Sequence, residues 1–160
     1  MKYLLDTNIF IRSKNEMPSD VWPTFWRLLA ALIADGAICS CAQVKEEIER
    51  GDDELTQWMS ANAPEGFYLP MSGDVIEKYS AVQNWAAASG RFLPAALQGF
   101  AMAADAYLVA TAAAKQMTVV TYETSDPACR RRVKIPDACL AMGVRCCDLN
   151  TAFRELGVSV

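Results

Sequence analysis

Five short apolar runs, each set off by a stretch of helical periodicity, constrain this chain more than any other feature. "KYLL" (2–5), "AICSC" (37–41), "GFYLP" (66–70), "TVVTY" (118–122) and "VRCCDL" (144–149) read as strands. Between them, helices are predicted over 19–35 (stopped by Gly36), 42–50 (ended by Gly51), 52–62, 72–89, 103–116 and 135–143, with a last one over 150–157. Strands that alternate with helices imply an α/β fold, a mostly parallel central sheet covered on both faces in three α/β/α layers. With 160 residues, about half of them apolar, one domain over 1–160 has enough material for a core of its own. There are no repeats and no low-complexity linker.

In this frame the opening "MKYLLDTNIFI" poses a question. Asp6 ends an apolar strand and is delivered to its carboxyl end, where open α/β sheets place their chemistry. A lone buried carboxylate is costly there. A lysine or arginine could neutralise it, a helix could take it as a cap, or a metal ion could occupy it.

Other acids separate by the face they occupy. In "AQVKEEIER" the inward stripe runs through Val44 and Ile48 and takes in Glu47, whereas Glu46 and Glu49 point away. Asp105 is the only charge in "FAMAADAYLVATAAA" and shares a stripe with Met102, Val109 and Ala112, so it is either a helix N-cap or part of a site. Glu123 lies just beyond "TVVTY", with Thr121 two residues before it. Asp126 competes for that neighbourhood, but its "SDP" context is explained by turn chemistry. Asp52, Asp53 and Glu54 open a helix, where negative charge needs no special role.

Asp6, Glu47, Asp105 and Glu123 thus come from different elements that a parallel arrangement could bring to one sheet edge. Clustered carboxylates either rise in pKa or hold a cation. The chain has no histidine, which removes Ser-His and Cys-His nucleophile pairs and the imidazole acid/base pair. Oxygen-only ligands favour Mg²⁺ or Mn²⁺, which lower the pKa of a bound water and shield a phosphodiester. The six cysteines match neither zinc spacing nor a secreted disulfide framework and read as reduced core thiols.

"LLDTNIFI", the "EEI" helix with Glu47, the "DAYLVATA" helix and the "VVTYE" strand end resemble the successive acidic motifs of the PIN domain, the fold of VapC-type toxin ribonucleases. "LLDTNIFIRSKN", "FW", "GDDEL" and "VKIPDAC" further resemble a PIN-like bacterial family of unknown function. The resemblance spans nearly the whole chain. It implies a metal-dependent endoribonuclease, the toxin half of a toxin and antitoxin pair, with Asp6, Glu47 and Asp105 as the three main acids. Asn8 and Thr7 would steady the first acid and the metal's waters, Thr121 would act similarly near the fourth motif, and Glu123 would assist a second ion or orient the attacking water. Family members more often carry aspartate where Glu123 stands, which leaves one-metal and two-metal sites both open.

The basic run "CRRRVK" places Arg130, Arg131, Arg132 and Lys134 where they could hold RNA phosphates; a solvated loop or a dock for an acidic antitoxin segment are the competing readings. Trp22, Phe25, Trp26 and Leu29 fall at helical spacing, by default a core stripe, with a homodimer surface or antitoxin groove as the alternative. A net charge of −4 argues against purely electrostatic nucleic-acid binding. No apolar run approaches the ~20 residues of a membrane span, and the chain is expected to be cytoplasmic. Two rival functions are a catalytically silent PIN-like module that binds RNA or protein, and a haloacid-dehalogenase-like phosphotransferase. The latter needs an acid two residues after the first aspartate, where Asn8 stands.

Overall fold

A computed structural model describes residues 2–160. The first strand, β1 (Tyr3–Leu5), is buried along its whole length, which explains its uninterrupted apolar sequence: a strand covered on both faces has no polar side to alternate. It lies at the centre of a five-stranded sheet of order β3-β2-β1-β4-β5, formed with β2 (Ile38–Cys41), β3 (Tyr68–Leu69), β4 (Thr118–Val120) and β5 (Cys146–Cys147). All four pairings are parallel. The sheet, flanked by helices, makes the three-layer α/β/α architecture expected from the alternation.

The helices are α1 (Thr7–Glu16), α2 (Pro23–Asp35), α3 (Ala42–Gly51), α4 (Glu54–Asn62), α5 (Gly73–Ala88), α6 (Pro94–Met102), α7 (Ala104–Lys115), α8 (Ile135–Ala141) and α9 (Leu149–Leu156). Two are not among the helices expected from the sequence pattern. α1 follows β1 directly, and its buried Ile9, Phe10 and Ser13 carry a helical stripe that the strand-like opening obscures. α6 is a separate element begun by Pro94 and ended at Ala103, so residues 103–116 do not share a helix with Met102. α2 starts at Pro23 rather than Ser19, because proline's fixed φ and missing N–H suit the first helical position. At its other end Gly36 adopts φ +76°, the left-handed stop expected of it.

The core is continuous from Leu4 and Leu5 through Val44, Leu108 and Val119 to Ile135. Phe25, Trp26 and Leu29 are buried in it, as their spacing suggested, while Trp22 precedes the helix and stays 47% exposed. Cys39, Cys41 and Cys139 are buried thiols, and all six cysteines are free. Among the described residues, no helix is long and apolar enough to cross a membrane.

The strand order locates a crevice. The chain runs outward from β1 to β2 and β3, then returns to place β4 on β1's other side. At such a reversal the sheet opens beyond the carboxyl ends of the two adjoining strands. Asp6 follows one of these strands and Thr121 the other, and the Asp6 amide donates to the Val120 carbonyl at 3.0 Å.

Candidate active site

Asp6 is 2% exposed. It occupies the N-cap position of α1, yet its side chain makes no capping hydrogen bond. Its carboxylate instead accepts from Thr121 Oγ1 at 2.9 Å. Burial above all, then the facing Asp105, pushes its pKa up to about 7, against smaller downward pulls from the Thr121 hydroxyl and the Asn8 backbone amide. Next to it the Thr7 hydroxyl is buried without a hydrogen-bond partner.

Asp105 belongs to the first turn of α7 and is not its cap; Ala103 holds that position. The stripe expected to run from Met102 therefore begins at Asp105, and Met102, at the end of α6, is 76% exposed. What a cap would do for α7 is done from another element. The Ala104 N–H donates to Glu47 Oε1 at 2.8 Å, so the α3 glutamate satisfies the first turn of α7 across space. Glu47 is half-buried while Glu46 and Glu49 are exposed, as the helical stripe required. Burial, followed by the neighbouring Glu123, raises the Asp105 carboxyl to about 6, with Arg132 opposing.

Glu123 treats α8 as Glu47 treats α7. Its Oε2 accepts from the Ile135 N–H at 2.8 Å, and its own amide donates to Thr121 Oγ1 at 3.1 Å. Its second oxygen pairs with the Arg132 guanidinium, which also lies 3.5 Å from Asp105 Oδ2. Four acids that look equivalent in sequence thus divide into two kinds. The glutamates are tied to backbone amides at helix starts, and the aspartates face each other with few donors.

A pocket of about 370 Å³ is lined by Asp6, Thr7, Asn8, Glu47 and Asp105, with Arg131 and Arg132 on its rim. Glu123 adjoins it behind Arg132 and Thr121 behind Asp6. The basic run is not a uniform strip. Arg130 donates to the Arg91 carbonyl at 3.1 Å, and Lys134 precedes α8 as its N-cap residue. A larger cavity of about 740 Å³ along α3 and β3 includes Glu49, Asp52 and Glu65, all exposed, so it holds no desolvated acid.

One polar centre has no counterpart among the sequence candidates. Asp137, 6% exposed, accepts from Ser125 Oγ at 2.6 Å, the Asp126 amide at 3.2 Å and Arg91 Nη2 at 3.3 Å. Arg91 also donates to the carbonyls of Cys129 and Asp126. This node pins the connection between β4 and α8 that carries Arg132. Asp137 is a lone acid in the apolar "IPDACLA", so the test that selected Asp105 would have selected it too.

Among the described residues, no group of three Asp, Glu or Cys side chains is placed to hold a metal ion. The donor chemistry nevertheless suits a hard divalent cation: oxygen donors only, two carboxyls that burial and neighbouring acids push toward neutrality, and an unpartnered hydroxyl beside them.

A family model described as Domain of unknown function (DUF4411) matches residues 3–160. None of the curated proteins matches significantly. Among solved structures, VapBC2 from Rickettsia felis bound to a DNA fragment from their promoter is similar at 19% identity and TM-score 0.53, covering 77% of this chain and 88% of that one. FitAcB from Neisseria gonorrhoeae is 21% identical with TM-score 0.51, covering 90% and 95%. FitAB bound to an IR36 DNA fragment is also 21% identical with TM-score 0.51, covering 91% and 94%. The chain shares its fold with these solved structures.

Proposed function

The chain belongs to the DUF4411 family, and we propose that it is a Mg²⁺- or Mn²⁺-dependent endoribonuclease, the toxin of a toxin and antitoxin pair. The observation that carries this reading is the pair Asp6 and Asp105. Two desolvated carboxylates face one pocket at the sheet's reversal point, both raised toward neutrality. A structural role for them would come with donors, and they have few.

In this reading Asp6 and Asp105 would hold the cation, and Glu47 would contribute the oxygen it does not use on Ala104. The bound ion supplies an activated water and neutralises charge on the phosphodiester. Thr121 orients the Asp6 carboxylate through its 2.9 Å hydrogen bond, while Thr7 and Asn8 offer polar atoms at the pocket wall. Glu123, with its oxygens engaged by Ile135 and Arg132, is a positioning residue. This favours a one-metal arrangement. In-line attack on phosphorus would leave a 5′-phosphate and a 3′-hydroxyl. Arg131, exposed on the rim, is placed to meet an RNA phosphate.

The structural neighbours VapBC2 and FitAB are complexes bound to DNA fragments. By analogy this chain is proposed to pair with an antitoxin protein, to form a homodimer and to act in the cytoplasm. A silent binding module is the second reading, favoured by one observation: Arg132 already neutralises Asp105 and Glu123.

The two part on one assay, in which purified protein is mixed with a structured RNA pool in the presence of Mn²⁺, of chelator, and with Asp6→Asn in place of wild type. The nuclease reading expects cleavage that requires both Mn²⁺ and Asp6. Intact RNA with folded wild-type protein and Mn²⁺ would favour the silent module.

A further inference from the structure

Arg132 is peculiar among the bases of its loop. Its guanidinium is half exposed, yet it reaches inward to two acids on different elements, Asp105 of α7 and Glu123 beyond β4. The backbone on either side is held. Val133 is 2% exposed in the core, and the Arg130 carbonyl accepts from the Leu93 amide at 2.9 Å. Arg91 secures the carbonyls of Cys129 and Asp126. The Cα of Arg132 is therefore fixed between two anchors while its long side chain keeps rotamer freedom, so it can leave the acids by rotation alone, without loop movement.

We propose that Arg132 is an internal counter-cation, which competes with the divalent ion for Asp105 and on release turns to the pocket rim beside Arg131 to take an RNA phosphate. The inference rests on the metallonuclease reading and adds a device to it. Three facts converge. Asp105 needs positive charge, since it is largely desolvated and faces Asp6. Arg132 supplies that charge at 3.5 Å, longer than the 2.7–2.9 Å of an optimal charge-assisted bond, and so holds Asp105 loosely. Its shorter contact is with Glu123, which is also bonded to the Ile135 amide and does not line the pocket. An ion at Asp105 thus opposes the guanidinium at the looser of its two contacts, and release from the other leaves Glu123 bonded to Ile135. Arginine suits both positions, because its planar fork matches a carboxylate and a phosphate equally well.

This arrangement makes opposite demands on a single substitution. Removing the guanidinium should strengthen metal binding and weaken RNA binding, which a purely structural or purely substrate-binding role would not do together.

The test is calorimetric titration of Mn²⁺, without RNA, into wild type, Arg132→Gln, Arg132→Lys and Asp6→Asn, followed by binding of a single-stranded RNA in Ca²⁺ by the first three. Arg132→Gln is expected to bind Mn²⁺ about fivefold more tightly, the equivalent of about 1 kcal/mol for a half-exposed ion pair. Its RNA affinity should fall by a similar factor, with Arg132→Lys intermediate in both. Circular dichroism confirms that each variant is folded. If wild type binds Mn²⁺ through Asp6 but Arg132→Gln binds it equally or less tightly, the counter-cation proposal is overturned and the metallonuclease reading stands. If neither wild type nor Arg132→Gln binds Mn²⁺, both are overturned.

Discussion

Asp6 and Asp137 are both buried aspartates, and the same connecting segment joins their surroundings: Thr121 at its start bonds Asp6, and Ser125 and Asp126 within it bond Asp137. Their treatment is opposite. Asp137 accepts from a hydroxyl, a backbone amide and a guanidinium. Asp6 accepts from one hydroxyl, gains only a lesser pull from the Asn8 backbone amide, and faces another carboxylate. The first pattern is how a fold uses a buried charge to fix a loop. The second leaves charge uncompensated, which destabilises the fold unless something absent from the chain supplies the balance. Burial alone does not separate these two acids; the count of donors does.

The largest effect expected from this contrast concerns pH. Asp6 and Asp105 have folded pKa values above their unfolded ones, so without metal the native state holds protons that the unfolded chain has lost. Stability from these groups is complete below about pH 4 and disappears as pH rises through about 6 and 7. For Asp6 the difference reaches on the order of 4 kcal/mol as a ceiling. Urea unfolding of wild type and Asp6→Asn between pH 4 and 8 should show the wild-type curve falling relative to that of Asp6→Asn. Parallel curves would contradict the contrast.

Next in size, Asp137→Ala should destabilise by about 3 kcal/mol, because it strands Arg91 and two loop donors. That lowers Tm by roughly 6–12 °C in calorimetry. An unchanged Tm would show that the node fixes nothing. Glu47 allows a finer division. Glu47→Ala removes the acceptor for the Ala104 amide and should cost about 1 kcal/mol, whereas Glu47→Gln keeps an acceptor and should unfold within about 0.5 kcal/mol of wild type while losing cleavage. Equal stability losses in both would show that the charge, not the cap, matters to the fold. Smallest of all, Thr121→Val should cost about 0.5–1 kcal/mol and raise the Asp6 carboxyl further, measurable by carbon NMR of the carboxyl group.

The sheet was legible because its strands are short, apolar and widely spaced, and parallel pairing leaves few other arrangements for such a pattern. α1 was not, because its helical stripe begins one residue after a strand and shares its apolar character. α6 was hidden in a run that reads as one helix through Met102 and Asp105, and only the extended backbone at Ala103 divides it. Burial separated Glu47 from Glu46 and Glu49 as helical periodicity said it would. Periodicity could not reveal that Glu47 and Glu123 cap helices distant in sequence, since such a bond depends on tertiary placement of an amide. For the same reason the basic run looked uniform, although Arg132 turns inward and Arg130 bonds the Arg91 carbonyl.

The central claim, that Asp6 is kept at a cost to stability in order to hold a cation, is tested most directly by calorimetric melting of wild type and Asp6→Asn at pH 8, with chelator and then with Mn²⁺. In chelator Asp6→Asn is predicted to melt several degrees above wild type, and Mn²⁺ is predicted to raise the wild-type Tm at least to that of Asp6→Asn, whose own Tm stays unmoved. An Asp6→Asn protein that melts below wild type in chelator, together with a wild type indifferent to Mn²⁺, would contradict the claim.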